Sequence, residues 1–421
     1  MTDYPSTSTV HNHIVTNDDE RFIVKLSHFL LYIAILTSGF VLFEPAPFDP
    51  LILCTILIVL FSGAAIPRQI KWIMAIGFVH LMGSFFGVLM SDNLGDSNMH
   101  VIITAYMVIF CIGLIIMVYN NPKKIVDIIM KAYLWAALIS SILAIMGYFH
   151  IGPTYELFTL YGRAKGGFKD PNVFAPFIVP PMLYLIEKIV HSNFKDKSLA
   201  VLKFSILLFA LLLSFSRGAW GVFLFSSFLM FISLYYTAPS NRYRVELTLY
   251  ILIAFVAMCV ALVVAINIPA IADLVSQRAS LSQDYDVAEG GRFSRHSDAL
   301  RIVIQQPWGI GAKEFGVKFG EDVHNTYLTT FLIGGWVAGF SFLLAMLFTL
   351  VAGFKYCFTK FAMHKQFLIF YATFVSLAVE AWIIDIDHWR LLYIILGVLW
   401  GIIFYEKYNK LKPTNISTRY S

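Results

Sequence analysis

Charged residues are scarce in this sequence: they make up 14% of its 421 positions, whereas hydrophobic residues make up 58%. A soluble globular domain has about 25% charged residues, so the composition excludes that class. With a mean hydropathy of +0.73, the sequence instead predicts a polytopic membrane protein. Regularly alternating short strands are missing as well, which leaves α-helices as the predicted membrane-spanning elements.

Cysteine is also rare. The four cysteines lie within or at the ends of apolar segments, and the loops predicted to lie outside contain none. This excludes a disulfide framework and a thiolate metal site. The net charge of +5 does not indicate a nucleic-acid partner, because the basic residues are spread over the loops between apolar runs rather than gathered in one patch.

Runs of about 20 apolar residues match the hydrocarbon core of a bilayer, which is roughly 30 Å thick. Twelve such runs predict a single transmembrane domain over residues 23–405, between polar tails at residues 1–22 and 406–421. The first tail has no basic n-region or cleavage site, which predicts a short cytoplasmic tail followed by an uncleaved first helix. The predicted spans are 24–43, 47–65, 70–90, 99–119, 125–149, 173–190, 199–215, 218–237, 246–268, 326–354, 366–385 and 390–405.

The distribution of lysine and arginine gives an orientation, since these residues accumulate on the cytoplasmic side of membrane proteins. With the N-terminus inside, every predicted cytoplasmic connection is basic, while residues 44–47 and 91–98 on the opposite side contain no lysine or arginine. Both termini are therefore predicted to be cytoplasmic. The long loops at residues 150–172 and 269–325 are predicted to lie outside.

Some outside connections nevertheless carry cations, which indicates an anionic ligand there. Long loops cross the membrane regardless of charge, and in the 269–325 loop eight acidic residues exceed six basic ones. The tolerance of long loops for charge does not explain Arg217, because its connection is only a few residues long. The cations are Arg163, Lys165 and Lys169 before the sixth span, Arg217 between the seventh and eighth, and Arg278, Arg292, Arg295 and Arg301 in the long loop.

Two of these connections form short polar motifs. The segment 162–172 reads Gly-Arg-Ala-Lys-Gly-Gly-Phe-Lys-Asp-Pro-Asn. Its glycines permit close backbone approach, its cations suit phosphate or carboxylate, and Asn172 is a candidate cap for the sixth span. Arg217 follows Ser216 at the start of the eighth span, where unpaired N–H groups and the helix dipole favour an anion. The alternatives are a polar turn and an arginine at the membrane interface.

The long loop predicts a short amphipathic helix over residues 293–306, ended by Pro307. Its candidate apolar residues are Phe293, Leu300, Val303 and Ile304.

Further along, His324 follows Glu321 and Asp322, either of which could orient its imidazole. A histidine at a helix start is also common as an interfacial residue.

Two acidic clusters are weaker candidates. Asp284-Tyr285-Asp286 has the spacing of metal-dependent nucleotide-sugar transferases, but no histidine or cysteine accompanies it, so no metal site is predicted. The outer end of the eleventh span is expected either to dock a polar acceptor or to form an interfacial salt-bridge cluster. Its polar residues are Glu380, Asp385, Asp387, His388 and Arg390.

Taken in order, these motifs resemble the O-antigen ligase and polymerase superfamily of bacterial membrane glycosyltransferases. The resemblance covers about residues 160–350 and depends on the order and spacing of the motifs rather than on any one of them. The matching residues are Arg163 with Gly167-Phe168-Lys169-Asp170-Pro171-Asn172, Ser216-Arg217-Gly218, Arg292 followed by Pro307-Trp308-Gly309-Ile310-Gly311 and Phe315, and His324-Asn325-Thr326-Tyr327-Leu328.

The resemblance implies an all-α, GT-C-type membrane protein that acts without a metal or other cofactor on the periplasmic side of the bacterial inner membrane. The implied reaction moves a glycan from undecaprenyl diphosphate to a hydroxyl of lipid A-core, or of a growing polysaccharide in a polymerase. The family's two essential arginines and histidine correspond to Arg217, Arg292 and His324, with Arg278 and Arg295 as alternatives for the second arginine. The expected substrate-binding residues are Arg163, Lys165, Lys169, Asn172, Arg278, Arg295 and Asn325.

A secondary transporter is the alternative from another class, since twelve helices with both ends inside is also its usual layout. Such a protein is expected to show two similar halves and functional charges near the membrane midplane. Related halves are not visible here, and the few candidate midplane charges are chiefly Lys131 and Lys203.

Overall fold

The computed structural model describes residues 17–191, 194–249 and 292–411, together with the single positions 252, 256 and 263. In this part of the chain the secondary structure is almost wholly helical, and the strands form one two-residue antiparallel pair. The helices are α1 (Asn17–Thr37), α2 (Phe48–Phe61), α3 (Ile70–Leu89), α4 (Leu94–Asn120), α5 (Pro122–Tyr148), α6 (Tyr155–Phe158), α7 (Pro171–Phe177), α8 (Val179–His191), α9 (Phe194–Leu213), α10 (Arg217–Tyr236), α11 (Arg292–Gln305), α12 (Glu314–Phe319), α13 (Thr326–Cys357), α14 (His364–Glu380) and α15 (Arg390–Leu411), and the strands are β1 (Thr159–Leu160) and β2 (Arg163–Ala164). Residues 241–249 are also helical.

Long apolar helices confirm the predicted class of all-α membrane protein. Seven helices in the described part are long and apolar enough to cross a bilayer. Two shorter apolar helices, Phe22–Thr37 and Phe48–Phe61, precede them. The total of twelve spans stays a prediction, and most of the predicted ninth span at 246–268 lies outside the described residues. The seven are Ile70–Leu89, Leu94–Asn120, Pro122–Tyr148, Pro171–Val190, Arg217–Tyr236, Thr326–Cys357 and Arg390–Asn409.

The sixth predicted span, which contains Pro176, Pro180 and Pro181, is broken between α7 and α8. In a continuous helix the N–H of residue 181 would donate to the carbonyl of Phe177, but proline has no N–H to give. The hydroxyl of Tyr133, which is fully buried on α5, donates to that carbonyl instead at 2.6 Å. The break is therefore satisfied by a side chain from a neighbouring helix.

A second helix break divides α13, and the Pro307-Trp308-Gly309-Ile310-Gly311 motif hydrogen-bonds to the backbone at this break. Gly334 and Gly335 are non-helical there, and Gly335 has φ = 65°. The freed carbonyls accept from the motif, Leu332 O from Ile310 N at 2.7 Å and Ile333 O from Gly311 N at 3.3 Å. The motif thus completes the hydrogen bonding of α13.

Helix α11 confirms the amphipathic helix predicted before Pro307, and its apolar residues are split between a buried face and an exposed face. Ala299 and Val303 are buried against Phe315, Val323 and Leu332.

Two other residues of the predicted apolar side, Leu300 and Ile304, are 52% and 65% exposed. Their side chains lie on a different face of the short helix from the buried Ala299 and Val303. They remain available for lipid contact.

Helix α14 is the most buried element of the bundle and carries Phe367, Phe370 and Phe374, which have no exposed surface. It packs against α10, while α13 packs against α3 and α15 against α4.

At one end of the bundle, α14 leads into the turn 381–389, and residues 159–172, 214–217 and 292–325 lie at the same end. We call it the loop end.

Candidate active site at the loop end

A tight turn places Arg217 at the start of α10. Phe215 has φ = 48°, and the Ser216 side chain caps the helix by accepting from Ala219 N at 3.5 Å. Trp220 Nε1 donates back to Leu211 O at 3.0 Å and closes the turn. Arg217 is half-buried, at a helix N-terminus whose backbone N–H groups attract anions.

The segment 159–172 lies beside this turn and is bound to it through Arg163. The Arg163 guanidinium donates from Nε to Ser214 O at 2.8 Å and from Nη2 to Asn172 Oδ1 at 2.7 Å. The first two predicted motifs are therefore adjacent. Asn172 does not cap α7 as expected, because Asp170 does so by accepting from Asn172 N at 2.6 Å.

The glycines of this segment pack against other helices. A Cβ on Gly166 would lie 2.6 Å from Ser140 O, and one on Gly167 would lie closer still to Gly39 O. Gly167 N donates to Ser140 Oγ at 3.0 Å, and Gly167 O accepts from Val41 N at 2.6 Å. The close approach that these glycines permit is thus to α5 and the end of α1.

The two lysines of the same segment differ in their surroundings. Lys169 Nζ lies 3.3 Å from Glu44 Oε2 in a pair whose side chains are about half exposed. Lys165 is half-buried, and burial lowers the pKa of its ammonium group while nearby Asp170 raises it. Within the described residues Lys165 has no ion-pair partner, so it is the cation of this segment best placed for an added anion.

Helix α14 brings the Arg217 motif next to the His324 motif. A Cβ on Gly218 would lie 2.6 Å from Glu380 Oε1, so the last residue of α14 contacts the backbone beside Arg217. One residue later, Ala381 O accepts from Thr326 N at 2.8 Å. Thr326 Oγ1 donates to Ile384 O at 2.8 Å and fixes the turn that follows.

His324 has a carboxylate near each ring nitrogen. Its Nε2 lies 3.3 Å from Glu321 Oε1, and its Nδ1 lies 3.7 Å from Asp385 Oδ2. The backbone of His324 is left-handed, with φ = 52°, a conformation that costs energy for a residue with a Cβ. The side chain is 35% exposed and is accessible to solvent.

Asp385 is the residue that sequence reasoning undervalued. Its Oδ1 accepts from Thr329 Oγ1 at 2.7 Å, which leaves Oδ2 facing the imidazole. Burial, with nearby Asp387, raises the pKa of Asp385 to about 7. The signal in the sequence was a cluster of acidic residues after the eleventh span, but only the folded chain shows which of them faces His324.

Glu321 joins His324 to Arg295. The Arg295 guanidinium forms an ion pair with Glu321 Oε2, while Glu321 Oε1 faces the imidazole. The hydrogen bond from Arg295 holds the pKa of Glu321 below its usual value. Of the two predicted partners of His324, Glu321 is therefore confirmed as a neighbour.

The other predicted partner, Asp322, binds Lys313 instead, with 2.6 Å between Oδ2 and Nζ. This hydrogen bond is the main reason that the pKa of Lys313 is raised.

Asn325 has a structural contact of its own. It is buried, and its Oδ1 caps α13 by accepting from Leu328 N at 3.2 Å. This contact orients the helix that carries Thr326 and Thr329.

The predicted second arginine cannot be placed by its side chain. Arg292 is the first residue of α11, one helical turn before Arg295, but only its backbone is described. Arg278 lies outside the described residues, as does Asp284-Tyr285-Asp286.

The other polar residues after α14, Asp387, His388 and Arg390, lie in two different environments. Asp49 of α2 binds Arg390 through two hydrogen bonds of 2.8 and 2.7 Å and also accepts from Tyr106 at 2.9 Å. This pair matches the salt-bridge interpretation of the turn. Asp387 and His388 instead face His100 on α4, and burial lowers the pKa of His388 to about 4.

A comparison with protein families supports the predicted resemblance. The family model described as O-antigen ligase matches residues 202–343. The matched segment includes Arg217, Arg292 and His324, and it ends before Asp385. No curated protein matches the chain.

Proposed function

The segment 202–343 carries the features of the O-antigen ligase family, and from this premise we propose that the chain transfers a glycan from undecaprenyl diphosphate to a hydroxyl acceptor. The reaction takes place at the loop end, on the periplasmic face of the bacterial inner membrane, with both termini in the cytoplasm. The observation that carries the proposal is the meeting of two family motifs at one place. Gly218 contacts Glu380, and the next residue, Ala381, binds Thr326.

Arg217 binds the diphosphate of the donor. A glycosyl diphosphate already has a good leaving group, so catalysis mainly requires stabilisation of the negative charge that develops on it. Arg217 provides a guanidinium at the N-terminus of α10, where the helix dipole has the same sign. Arg292 and Lys165 are assigned to the same anion, with Arg292 as the second arginine of the family.

His324 activates the acceptor hydroxyl. Asp385, held by Thr329, orients Nδ1, and Nε2 is the nitrogen that takes the proton. Glu321 is near Nε2 in this structure, and its ion pair with Arg295 gives the carboxylate an alternative partner when the acceptor binds. A single displacement by the hydroxyl inverts the anomeric centre and needs no metal at the reacting atoms.

The break between α7 and α8 gives the carrier lipid a place to enter. This bent helix follows directly after the Arg163 segment, so a polyprenyl chain lying along it would bring its diphosphate towards Lys165 and Arg217.

A reconstituted transfer assay tests the proposal. Purified protein is supplied with undecaprenyl diphosphate-linked glycan and a lipid A-core acceptor in the presence of EDTA, and the products are separated by size. We expect glycan attached to the acceptor, formed about 10²–10³-fold more slowly with Arg217→Ala. An equal yield from that variant, or flux of the donor across vesicles without transfer, would refute the mechanism.

The acceptor distinguishes a ligase from a polymerase. In a strain that lacks this chain, loss of all attached polymer with accumulation of carrier-linked polymer indicates a ligase that uses lipid A-core. Attached chains of a single repeat unit indicate a polymerase that uses another carrier-linked glycan.

A further inference from the structure

Three potential metal ligands meet between α4 and the turn 381–389. His100 of α4, Asp387 and His388 each offer one ligand atom, and these atoms all lie within 4.8 Å of one another. Asp387 Oδ2 is 3.9 Å from His100 Nε2 and 3.9 Å from His388 Nε2. The two imidazole rings are 4.2 Å apart between centroids. This cluster is separate from the proposed reacting groups.

Asp387 has little to compensate its charge. Its side chain is 12% exposed, and in the described part of the chain its carboxylate makes no hydrogen bond or ion pair closer than the two imidazoles at 3.9 Å. A buried carboxylate whose ion-pair neighbours in the described residues are two imidazoles at 3.9 Å lacks the close donors that such a group usually has.

Asp49 shows how the same protein satisfies a buried carboxylate. The Asp49 side chain, also 12% exposed, accepts two hydrogen bonds from Arg390, one from Tyr106 and one from Ala46 N. Among the described residues, Asp387 has no comparable set of donors. The contrast points to a cation at Asp387 that the described part of the chain does not provide.

The chemistry of the donor set selects the ion. Two imidazole nitrogens and one carboxylate oxygen suit zinc and its neighbours in the transition series, whereas calcium and magnesium prefer oxygen ligands. With bonds of about 2.0–2.1 Å, a tetrahedral zinc ion has ligand atoms about 3.3 Å apart. The two 3.9 Å separations thus require each histidine to move by roughly half an ångström, which side-chain rotation provides.

We propose that His100, Asp387 and His388 bind one zinc-class divalent ion and so join the turn 381–389 to α4. Water occupies the fourth position, since the His388 side chain is 27% exposed. The ion lies two residues along the turn from Asp385, and its effect on His324 is through the position of that turn. The site is structural and independent of the glycan-transfer proposal.

Thr104 competes with the ion for His388. The Thr104 hydroxyl donates to His100 O at 2.8 Å and lies 2.9 Å from His388 Nε2. Thr104→Val removes that hydroxyl and keeps all three ligands, so it serves as the matched control. If no metal binds, Thr104→Val only removes a hydrogen bond. If a metal binds, the substitution leaves His388 Nε2 free to coordinate it.

Metal content of the full-length protein tests the proposal. Detergent-purified protein is treated with EDTA, exposed to zinc chloride and desalted, and zinc is measured by mass spectrometry. We expect about one zinc ion per chain in the wild type and in Thr104→Val, and a loss of at least about tenfold in His100→Ala with His388→Ala. No zinc in the wild type, or unchanged zinc in the double variant, overturns the proposal.

Cobalt substitution keeps the test valid if the double variant does not fold. Wild-type protein loaded with Co²⁺ is expected to show the intense visible absorption of a four-coordinate ion with nitrogen ligands, and Asp387→Asn to lose it. Only the weak absorption of six-coordinate Co²⁺ in the wild type would show surface binding and contradict the assigned site.

Discussion

The segments 159–172 and 321–326 were both predicted to bind substrate, and the structure gives them different surroundings. In the first, Arg163 donates to a carbonyl and an amide of the fold, and Lys169 pairs with Glu44. In the second, His324 faces Glu321 and Asp385 at distances that leave room for a closer partner. A charge on the unexpected side of a membrane therefore marks a candidate, and its hydrogen-bond partners indicate whether it is free to act.

The largest expected effect comes from His324. Because its backbone is left-handed, His324→Asn is the preferred variant, since asparagine tolerates that conformation and lacks a basic ring nitrogen. We expect the transfer rate to fall by about 10²–10⁴-fold, the usual contribution of a general base. Protein amount and thermal stability should stay near wild type, and a rate within threefold of wild type would remove His324 from the chemistry.

Arg217 is next. Arg217→Ala should lower the transfer rate by about 10²–10³-fold, as removal of one charge-stabilising donor does in other enzymes. Arg217→Lys is the matched control, because it keeps the charge without the two-pronged geometry, and it should recover part of the rate. Equal rates for alanine and lysine would show that a positive charge at this position does not stabilise the leaving group.

Arg163 should affect stability more than chemistry. Arg163→Ala leaves Ser214 O and Asn172 without their donor, so we expect the free energy of unfolding to fall by about 1–3 kcal/mol. Thermal unfolding in detergent measures this loss. The rate per folded molecule should stay within about tenfold of wild type, and a loss comparable to that of Arg217→Ala at normal stability would assign Arg163 to the substrate instead.

The smallest effect is expected at Lys169. Its exposed pair with Glu44 contributes about 0–1 kcal/mol, so Lys169→Ala should leave both the unfolding temperature and the transfer rate close to wild type. Lys165→Ala is the informative comparison, because Lys165 has no ion pair in the described residues and should weaken donor binding when removed. A stronger effect at Lys169 than at Lys165 would reverse the assignment.

Local patterns in the sequence predicted much of the fold. Pro180 and Pro181 in the first turn of α8, and Pro307 after α11, specify helix boundaries through the missing N–H, so those positions could be read directly. The break at Gly334 and Gly335 could not, since glycine is also common in continuous membrane helices. It depends on the carbonyls of α13 meeting Ile310 and Gly311 from a distant loop.

The candidate site was predictable residue by residue but not as pairs. Arg217 and His324 stand out by residue type and position, whereas the partner of His324 was sought among its neighbours in sequence. Asp385 reaches the imidazole because α14 returns the chain to the loop end, and Asp322 turns away to Lys313. Asn325 and Arg163 drew attention by polarity, yet their contacts with the fold follow only from tertiary packing.

A double-mutant cycle on His324 and Asp385 tests the central claim most directly. If Asp385 acts by orienting the imidazole, the two residues form one unit and their effects do not add. Transfer rates are measured for His324→Asn, Asp385→Asn and the double variant, with Asp322→Asn as the control carboxylate. We expect the double variant to be no slower than His324→Asn alone, whereas a rate reduced by the product of the two single losses would contradict the account.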